Sequence, residues 1–342
     1  MMHISYHEKK EIEFSTSFED ISSVHTSPQG AWYFYSHQSP INFSKYLGYH
    51  VPLRTKDGWD FLKTIHAITV GDVLKPKIPT RVQRSLTSTT QEFVDGTVTS
   101  TVLADDVLLV STAVKSPVQI FADVRMIHDF STTGRFYSWI VDDSRKTIVL
   151  VYDRKVADDK DSQTLVNEKT SSPYKYFVGF RFECPYESHI DWLRADYFLD
   201  KKRSADPING YVIHALTLFS ATDIFITAAD SLEAVHQKLE HACENRQFLQ
   251  KSAMQYAQKI SATTLGQIGS MTLGFSAEQM NALTVATMYA KKSFMDLCVK
   301  PTDTVGLFAG LPWFGQFWTR DEAIAIGALI EMEQYPLAVQ ML

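Results

Sequence analysis

Aromatic and charged side chains are concentrated in one short stretch of the chain. Trp313, Phe314 and Trp318 lie within six residues of one another, and Arg320 and Asp321 follow almost directly. An aromatic ring offers a flat apolar surface to the C–H face of a sugar. A guanidinium and a carboxylate hold paired hydroxyl groups through charge-assisted hydrogen bonds. Together these residue types are what a monosaccharide pocket requires.

A helix is predicted to begin inside this stretch. Thr319 and Glu322 match a capping box, and the helix should end before Pro336. With Thr319 as N-cap, Arg320 and Asp321 are the first two helical residues and lie at the helix mouth, where the dipole favours a carboxylate. A purely structural role is also open, because aromatic residues beside a helix start often form a hydrophobic staple.

Upstream of this helix, the hydrophobic pattern from Asp230 onward has a period of about 3.6 residues, which predicts further helices. Residues 230–233 match a capping box that opens a helix running to about Ile260. Residues 276–279 match another, and Pro301 closes that helix. The predicted apolar stripe of the earlier helix contains Leu232, Val235, Leu239, Ala242 and Leu249. That of the later helix contains Met280, Leu283, Thr287, Ala290, Phe294 and Leu297.

Between about Gln91 and Ala228 the hydrophobic period is two, which predicts antiparallel strands in a large β-sandwich. The strands are expected at residues 97–103, 107–114, 118–126, 147–152, 176–184, 211–219 and 223–227. Residues 27–35 mix turn and aromatic residues, so they fit either a strand or a loop lying over a pocket. Because strands precede helices, a domain boundary is predicted near residue 229.

Composition excludes several classes of protein. The chain has 33 Lys and Arg against 39 Asp and Glu residues, a net charge of −6 that argues against nucleic-acid binding. Cys184, Cys243 and Cys298 are far apart and lack zinc-site spacing, which predicts reduced thiols and no metal. The first residues are too charged for a signal peptide, and no window reaches the ~18 apolar residues of a membrane span. We expect a cytoplasmic protein without a membrane segment.

Residues 312–324 resemble the motif at the first barrel helices of amylo-α-1,6-glucosidases, the glycogen debranching family. Residues 318–321 are also similar to the Trp-Thr-Arg-Asp motif of glucoamylases. Residues 29–32 and 177–181 resemble the N-terminal domain of the debranching family more loosely. This resemblance covers about a dozen residues closely and most of the chain loosely.

The resemblance implies a two-part fold. Residues 1–229 would form an all-β N-terminal super-sandwich, and residues 230–342 would form linker helices and the first helices of an (α/α)6 barrel. In the families resembled, the Arg-Asp pair binds hydroxyl groups of the glucose beside the cleaved bond. By that resemblance Arg320 and Asp321 are substrate-binding residues, and the pocket is walled by Trp313, Phe314 and Trp318.

Catalysis in these families requires two carboxylates on opposite sides of the glycosidic bond. Both lie well downstream of the motif in the families resembled, so no catalytic residue is expected within this chain. Glu331 and Glu333, two positions apart on the last predicted helix, point about 200° apart and cannot face one bond. Residues 230–342 have room for about four helices, whereas the barrel has twelve. We therefore expect a fragment of a longer enzyme or one half of a split one.

Other chemically suggestive residues are predicted to be structural. Residues 105–106 and 142–143 are Asp pairs between strands and fit hairpin turns. Histidines 66, 128 and 214 fall in apolar or strand surroundings and are expected to be satisfied structural side chains.

The expected activity is hydrolysis of α-1,6-linked glucose from a branched α-glucan such as glycogen, starch or limit dextrin. No cofactor is required, because proton transfer and a water molecule suffice. One alternative is a glucoamylase-like exo-α-glucosidase. Another is a non-catalytic glucan-binding subunit or remnant. The remaining part of the barrel would come from a second chain or from a second copy of this one, since exposed apolar helix faces need a partner.

Overall fold

The computed structural model describes residues 4–6, 12–15, 22–55, 58–155, 174–268, 276–301 and 305–342. The strands of the first third are β1 (Ile4–Tyr6), β2 (Ile12–Ser15), β3 (Ser22–Thr26), β4 (Trp32–Ser36), β5 (Gly48–Thr55), β6 (Gly58–Val70), β7 (Arg81–Arg84), β8 (Ser88–Phe93), β9 (Gly96–Leu103) and β10 (Val107–Val114). The later strands are β11 (Val118–Met126), β12 (Arg135–Asp142), β13 (Thr147–Arg154), β14 (Tyr174–Arg181), β15 (Tyr186–Asp196), β16 (Asn209–Leu218), β17 (Asp223–Ala229), β18 (Cys298–Val299), β19 (Gly306–Gly310) and β20 (Phe314–Phe317). The helices are α1 (Phe198–Lys202), α2 (Leu232–Glu244), α3 (Arg246–Ile268), α4 (Ala277–Met295), α5 (Thr319–Glu331) and α6 (Tyr335–Met341).

The described strands form two large antiparallel sheets and a small one. A ten-stranded sheet has the order β1-β2-β7-β8-β9-β10-β17-β14-β13-β12, and a seven-stranded sheet has the order β15-β16-β11-β6-β5-β4-β3. Strands β18, β19 and β20 form the small sheet. The large sheets share one hydrophobic core, in which Leu108 and Ile226 of one sheet pack with Ile120 and Ile213 of the other. The predicted sandwich of antiparallel strands is therefore confirmed.

All the strands predicted between residues 97 and 227 are present, as β9, β10, β11, β13, β14, β16 and β17. Before residue 90 the sequence was less informative, yet the structure contains long strands there, including the 13-residue β6. Residues 27–35 resolve into a turn followed by β4, whose five residues are all buried. This strand carries aromatic residues on both faces, which explains why no period of two is visible.

Strand β11, in the middle of the seven-stranded sheet, is buried on both faces, and the face turned away from the main core holds a charged cluster. Ile120 of β11 faces the main core, so Asp123, three positions on, faces the opposite side. Asp123 is bonded to three buried cations: Lys63 at 2.8 Å, Arg125 at 3.0 Å and Arg135 at 2.7 Å. Burial favours the neutral carboxyl, but the three cations outweigh it and hold the pKa of Asp123 well below its usual value.

Helix α2 packs directly on the outer face of the ten-stranded sheet. Val235 and Leu239 share a buried cluster with residues of β10 and β17. A β-carbon built on Gly179 of β14 would overlap Cγ1 of Val235, so glycine permits this close approach. The predicted boundary near residue 229 falls at the end of β17, directly before this helix, and its role as a domain boundary stays a prediction.

The predicted start and length of this helix were each partly wrong. Its N-cap is Ser231, whose hydroxyl accepts from Ala234 N, so the cap lies one residue later than the predicted Asp230. The single helix expected to run to Ile260 is two helices, because Asn245 interrupts the helix with a non-helical backbone and caps α2 through bonds to His241 O. Helix α3 then continues to Ile268.

Helix α4 begins as predicted and packs differently from the prediction. Both bonds of the Ser276–Gln279 capping box are present. The buried residues are Val285, Met288, Tyr289 and Met295. Leu283, predicted to be on the apolar side, is 39% exposed. The helix ends at Met295 rather than at Pro301, because β18 pairs with β19 from Cys298 onward.

Helices α5 and α6 follow strands β19 and β20. Helix α5 ends before Pro336 as predicted, and that proline lies in the first turn of α6. Among the described residues, none of the helices combines the length and the apolar composition needed to cross a bilayer.

Candidate functional site

The small sheet anchors the predicted sugar-binding stretch onto the sandwich. Phe308 of β19 is fully buried and contacts Phe61 of β6 at 5.5 Å between ring centroids. Phe317 of β20 contacts Trp59 of β6 at 5.1 Å. A β-carbon on Gly306 would overlap the ring of Phe317, so this glycine lets the hairpin close. These apolar contacts hold the residues on either side of Phe317 against one end of β6.

Helix α5 begins one residue earlier than predicted. Trp318 is the N-cap and makes no side-chain capping bond. Thr319 is therefore the first helical residue, and the predicted capping box is wrong. Glu322 bonds instead to Leu307, whose backbone N–H donates to Glu322 Oε1 at 3.2 Å. The carboxylate thereby ties α5 to β19, a partner that the local sequence pattern did not indicate.

Two aromatic rings meet at the start of this helix. Phe314 and Trp318 have ring centroids 5.2 Å apart and planes tilted by 55°. They are 42% and 39% exposed, so both rings keep faces open to solvent. A straight strand, rising about 3.3 Å per residue, would hold residues four positions apart at ~13 Å. The chain must therefore curve between them to bring the rings into contact.

Arg320 and Asp321, the predicted hydroxyl-binding residues, lie beside these rings. Arg320 Nη2 is 3.4 Å from Asp321 Oδ2, with the two side chains 75% and 27% exposed. The Arg320 guanidinium carbon is 5.9 Å from the centroid of the Trp318 ring. Asp321 lies in the first turn of α5, where the helix dipole stabilises a carboxylate. We call Phe314, Trp318, Arg320 and Asp321 the helix-mouth group.

The remaining predicted site residue, Trp313, has different neighbours. The guanidinium carbon of Arg203, just after α1, lies 3.9 Å from the centroid of its ring, so one ring face is covered. Its Nε1 is buried and has no hydrogen-bond partner within the described part of the chain. The structure thus groups Phe314, Trp318, Arg320 and Asp321 and places Trp313 at the wall of a neighbouring cavity.

That cavity has a volume of about 250 Å³ and lies between β6, β11 and the β19–β20 hairpin. Trp59, Asp60 and His128 line it together with Trp313 and Gln316. Sequence reasoning missed this group and assigned His128 a structural role. No local pattern could have found it, because its members come from three distant segments that only the folded sheet brings together.

The helix-mouth group is suited to holding hydroxyl groups. The carboxylate accepts hydrogen bonds, the guanidinium donates them, and the aromatic faces suit the C–H surface of a sugar.

Glu331 and Glu333, which the sequence analysis excluded as a catalytic pair, do not lie on a shared helix face. Glu331 is the last residue of α5, and Glu333 lies beyond the helix with a φ of 57°.

One cluster combines residue types that ligate metals. His189, Asp191 and His214 have ligand atoms within 4.8 Å of one another. The two imidazoles stack at 4.3 Å, and His214 Nε2 lies 2.8 Å from Gln119 Oε1. Thr217 Oγ1 donates to that same Gln119 oxygen at 2.7 Å and lies 3.2 Å from His189 Nε2. These contacts form a hydrogen-bonded network that links β11, β15 and β16.

Comparison of the sequence with protein-family models finds no matching model, and comparison with curated proteins finds no match. The relation to the debranching family therefore remains a proposal that depends on the residues of the helix mouth.

Proposed function

We propose that this chain forms the glucose-contacting part of a glycogen-debranching-type α-1,6-glucosidase. One observation carries the proposal: an exposed aromatic pair lies beside an Arg–Asp pair at the first turn of α5. These are the residues that resemble the substrate-binding motif of that family. The proposed reaction is hydrolysis of α-1,6-linked glucose in branched α-glucans.

Each member of the helix-mouth group has a role in this proposal. Trp318 and Phe314 pack against the C–H surface of a glucose ring. Asp321 accepts a hydrogen bond from one hydroxyl, and Arg320 donates to its neighbour. Arg320 and Asp321 bind substrate and transfer no proton, so the acid and base are assigned to carboxylates outside residues 1–342. Helices α5 and α6 would be the first helices of an (α/α)6 barrel.

A direct test is equilibrium binding of isomaltose to the chain, measured by calorimetry for the wild type, Trp318→Ala and Asp321→Asn. Losing a charge-assisted hydrogen bond costs ~1.5–3 kcal/mol, so Asp321→Asn should weaken binding at least tenfold. Trp318→Ala should weaken it to a similar extent. Trp192→Ala is a matched control, since Trp192 of β15 is 44% exposed. Unchanged affinity in both site variants would refute the proposal.

The alternatives differ in measurable ways. A glucoamylase-like enzyme should bind and cleave maltose in preference to isomaltose. A glucan-binding subunit should bind the sugar without turnover in any assembly. Comparison of both disaccharides, first in binding and then in hydrolysis by the native assembly that contains this chain, separates the three functions.

A further inference from the structure

A second site is suggested by the cavity beside the helix-mouth group. It is lined by Trp59 and Asp60 of β6, His128 after β11, and Trp313 and Gln316 of the hairpin. Its volume of about 250 Å³ is close to the lower end of the ~300–1,000 Å³ range of ligand pockets. His128 is exposed, so the cavity is accessible from solvent. A small ligand can therefore reach it from solvent.

Its two indole rings are held in place by their surroundings. Trp59 packs between Phe61 and Phe317, at centroid distances of 5.2 Å and 5.1 Å. Arg203 covers one face of Trp313, which also lines the cavity. The Nε1 of Trp313 is buried, and no acceptor for it exists among the described residues. A ligand oxygen would supply the acceptor that this donor lacks.

The polar groups around the cavity offer both donors and acceptors. Gln316 Nε2 lies 3.1 Å from His128 Nε2 and donates to it, so a neutral His128 ring carries its proton on Nδ1. Partial desolvation by the surrounding protein lowers the pKa of His128, although the charge of Asp60 opposes the shift. Asp60 Oδ1 accepts from Phe61 N at 2.7 Å, and its carboxylate has further lone pairs for a ligand.

We propose that this cavity is a second sugar-binding subsite, which holds the pyranose ring next to the glucose bound by the helix-mouth group. Aromatic walls and alternating donors and acceptors suit a neutral polyhydroxylated ring, whereas the Asp60 carboxylate would repel a phosphate or an acid sugar. Gln316 of β20 lies two residues after Phe314 and two residues before Trp318, so residues 314–318 contribute to both subsites. This inference rests on the proposed function, because it assigns the second unit of the same substrate.

The test compares glucose with isomaltose in calorimetric titrations of the full chain. The wild type should bind isomaltose at least tenfold more tightly than glucose. Asp60→Asn and Trp313→Phe should each lower this ratio at least fivefold and leave the affinity for glucose within twofold. Trp318→Ala should weaken binding of both sugars. Thermal unfolding of each variant identifies any that fail to fold. If one cavity variant does not fold, the other still tests the proposal.

The outcomes separate the two proposals. If the ratio is unchanged in both cavity variants, or if the wild type binds the two sugars equally, the second subsite is overturned. If Trp318→Ala leaves both affinities unchanged while Asp60→Asn weakens binding of isomaltose, the helix-mouth proposal fails and the cavity stands as a sugar site.

Discussion

Buried histidines should make the folded protein sensitive to mild acid. His37 and His66 are almost fully buried in the sandwich. Burial, aided by Arg84, lowers the pKa of His37 to about 3. Burial, aided by Lys63, lowers the pKa of His66 to about 3 as well. Both rings are therefore still neutral in the folded protein at pH values where the same histidines are protonated in the unfolded chain.

The hydrogen bonds explain why neither ring accepts a proton. His66 Nδ1 accepts from Lys63 Nζ at 2.8 Å, and its Nε2–H donates to Ile41 O at 2.7 Å. His37 Nδ1 lies 2.9 Å from Gln91 Nε2, which donates to it, and its Nε2 lies 3.0 Å from Ser23 Oγ. A neutral imidazole has one nitrogen that can accept a proton, and in each ring this nitrogen already accepts a hydrogen bond. Protonation would require the donating side chain to be displaced as well as a charge to be buried.

The sign and size of the effect follow from linkage. An unfolded histidine has a pKa near 6.5, so between pH 6.5 and about 3 the unfolded state binds more protons. The stabilisation is fully present above pH 6.5 and is lost as the pH falls, by about 1.4 kcal/mol per pH unit for each ring. From pH 7 to pH 5 the two rings together should lower the free energy of unfolding by about 4 kcal/mol. This is a large part of the ~5–15 kcal/mol that is typical of a folded protein.

Urea unfolding at pH 7, 6 and 5 measures this loss. We expect the loss between pH 7 and pH 5 to be about 2 kcal/mol smaller in His37→Gln than in the wild type. Ser23→Ala is a suitable control, because it removes a hydrogen-bond partner of His37 and keeps the titrating ring. This control should be less stable at every pH with the same pH dependence. An equal loss in His37→Gln and the wild type would show that the ring is protonated when folded and would refute the reasoning.

Three further perturbations test the packing that supports the site. Asp123→Ala leaves three buried cations without their shared partner, and urea unfolding should show a loss of ~3–5 kcal/mol that Lys63→Met in the same chain partly recovers. Gly179→Ala places a methyl group against Val235, so thermal unfolding should show a loss of ~1–3 kcal/mol, and an unchanged melting temperature would contradict the packing of α2. Ser276→Ala removes the capping box of α4 and should cost ~1 kcal/mol in urea unfolding, whereas Ser276→Thr should cost much less.

Several features of this protein were determined by the sequence alone. Strands β9, β10 and β11 follow from the alternation of their apolar residues, because successive side chains of a strand point to opposite faces whatever the strand packs against. The start of α4 follows from the Ser276–Gln279 pair, since a capping box is made by residues three positions apart. The grouping of Trp318, Arg320 and Asp321 was predictable for the same reason, as all three lie within one helical turn.

Other features depend on contacts between distant segments, and only the tertiary structure decided them. Glu322 has two possible backbone partners, and the position of β19 selects Leu307 over the N-cap. The apolar stripe expected on α4 includes Leu283, yet the surfaces that the helix meets bury Val285 and Met288 instead.

The cavity beside the helix mouth is the clearest feature that the local sequence could not predict. Asp60 and His128 are unremarkable in their local sequence, and Trp313 stands out only as part of the aromatic stretch 313–318. They meet because β6 and β11 are paired in one sheet and the aromatic residues of the hairpin dock on the end of β6. Periodicity specifies which face of an element is apolar, but the partner of that face depends on how the whole chain packs.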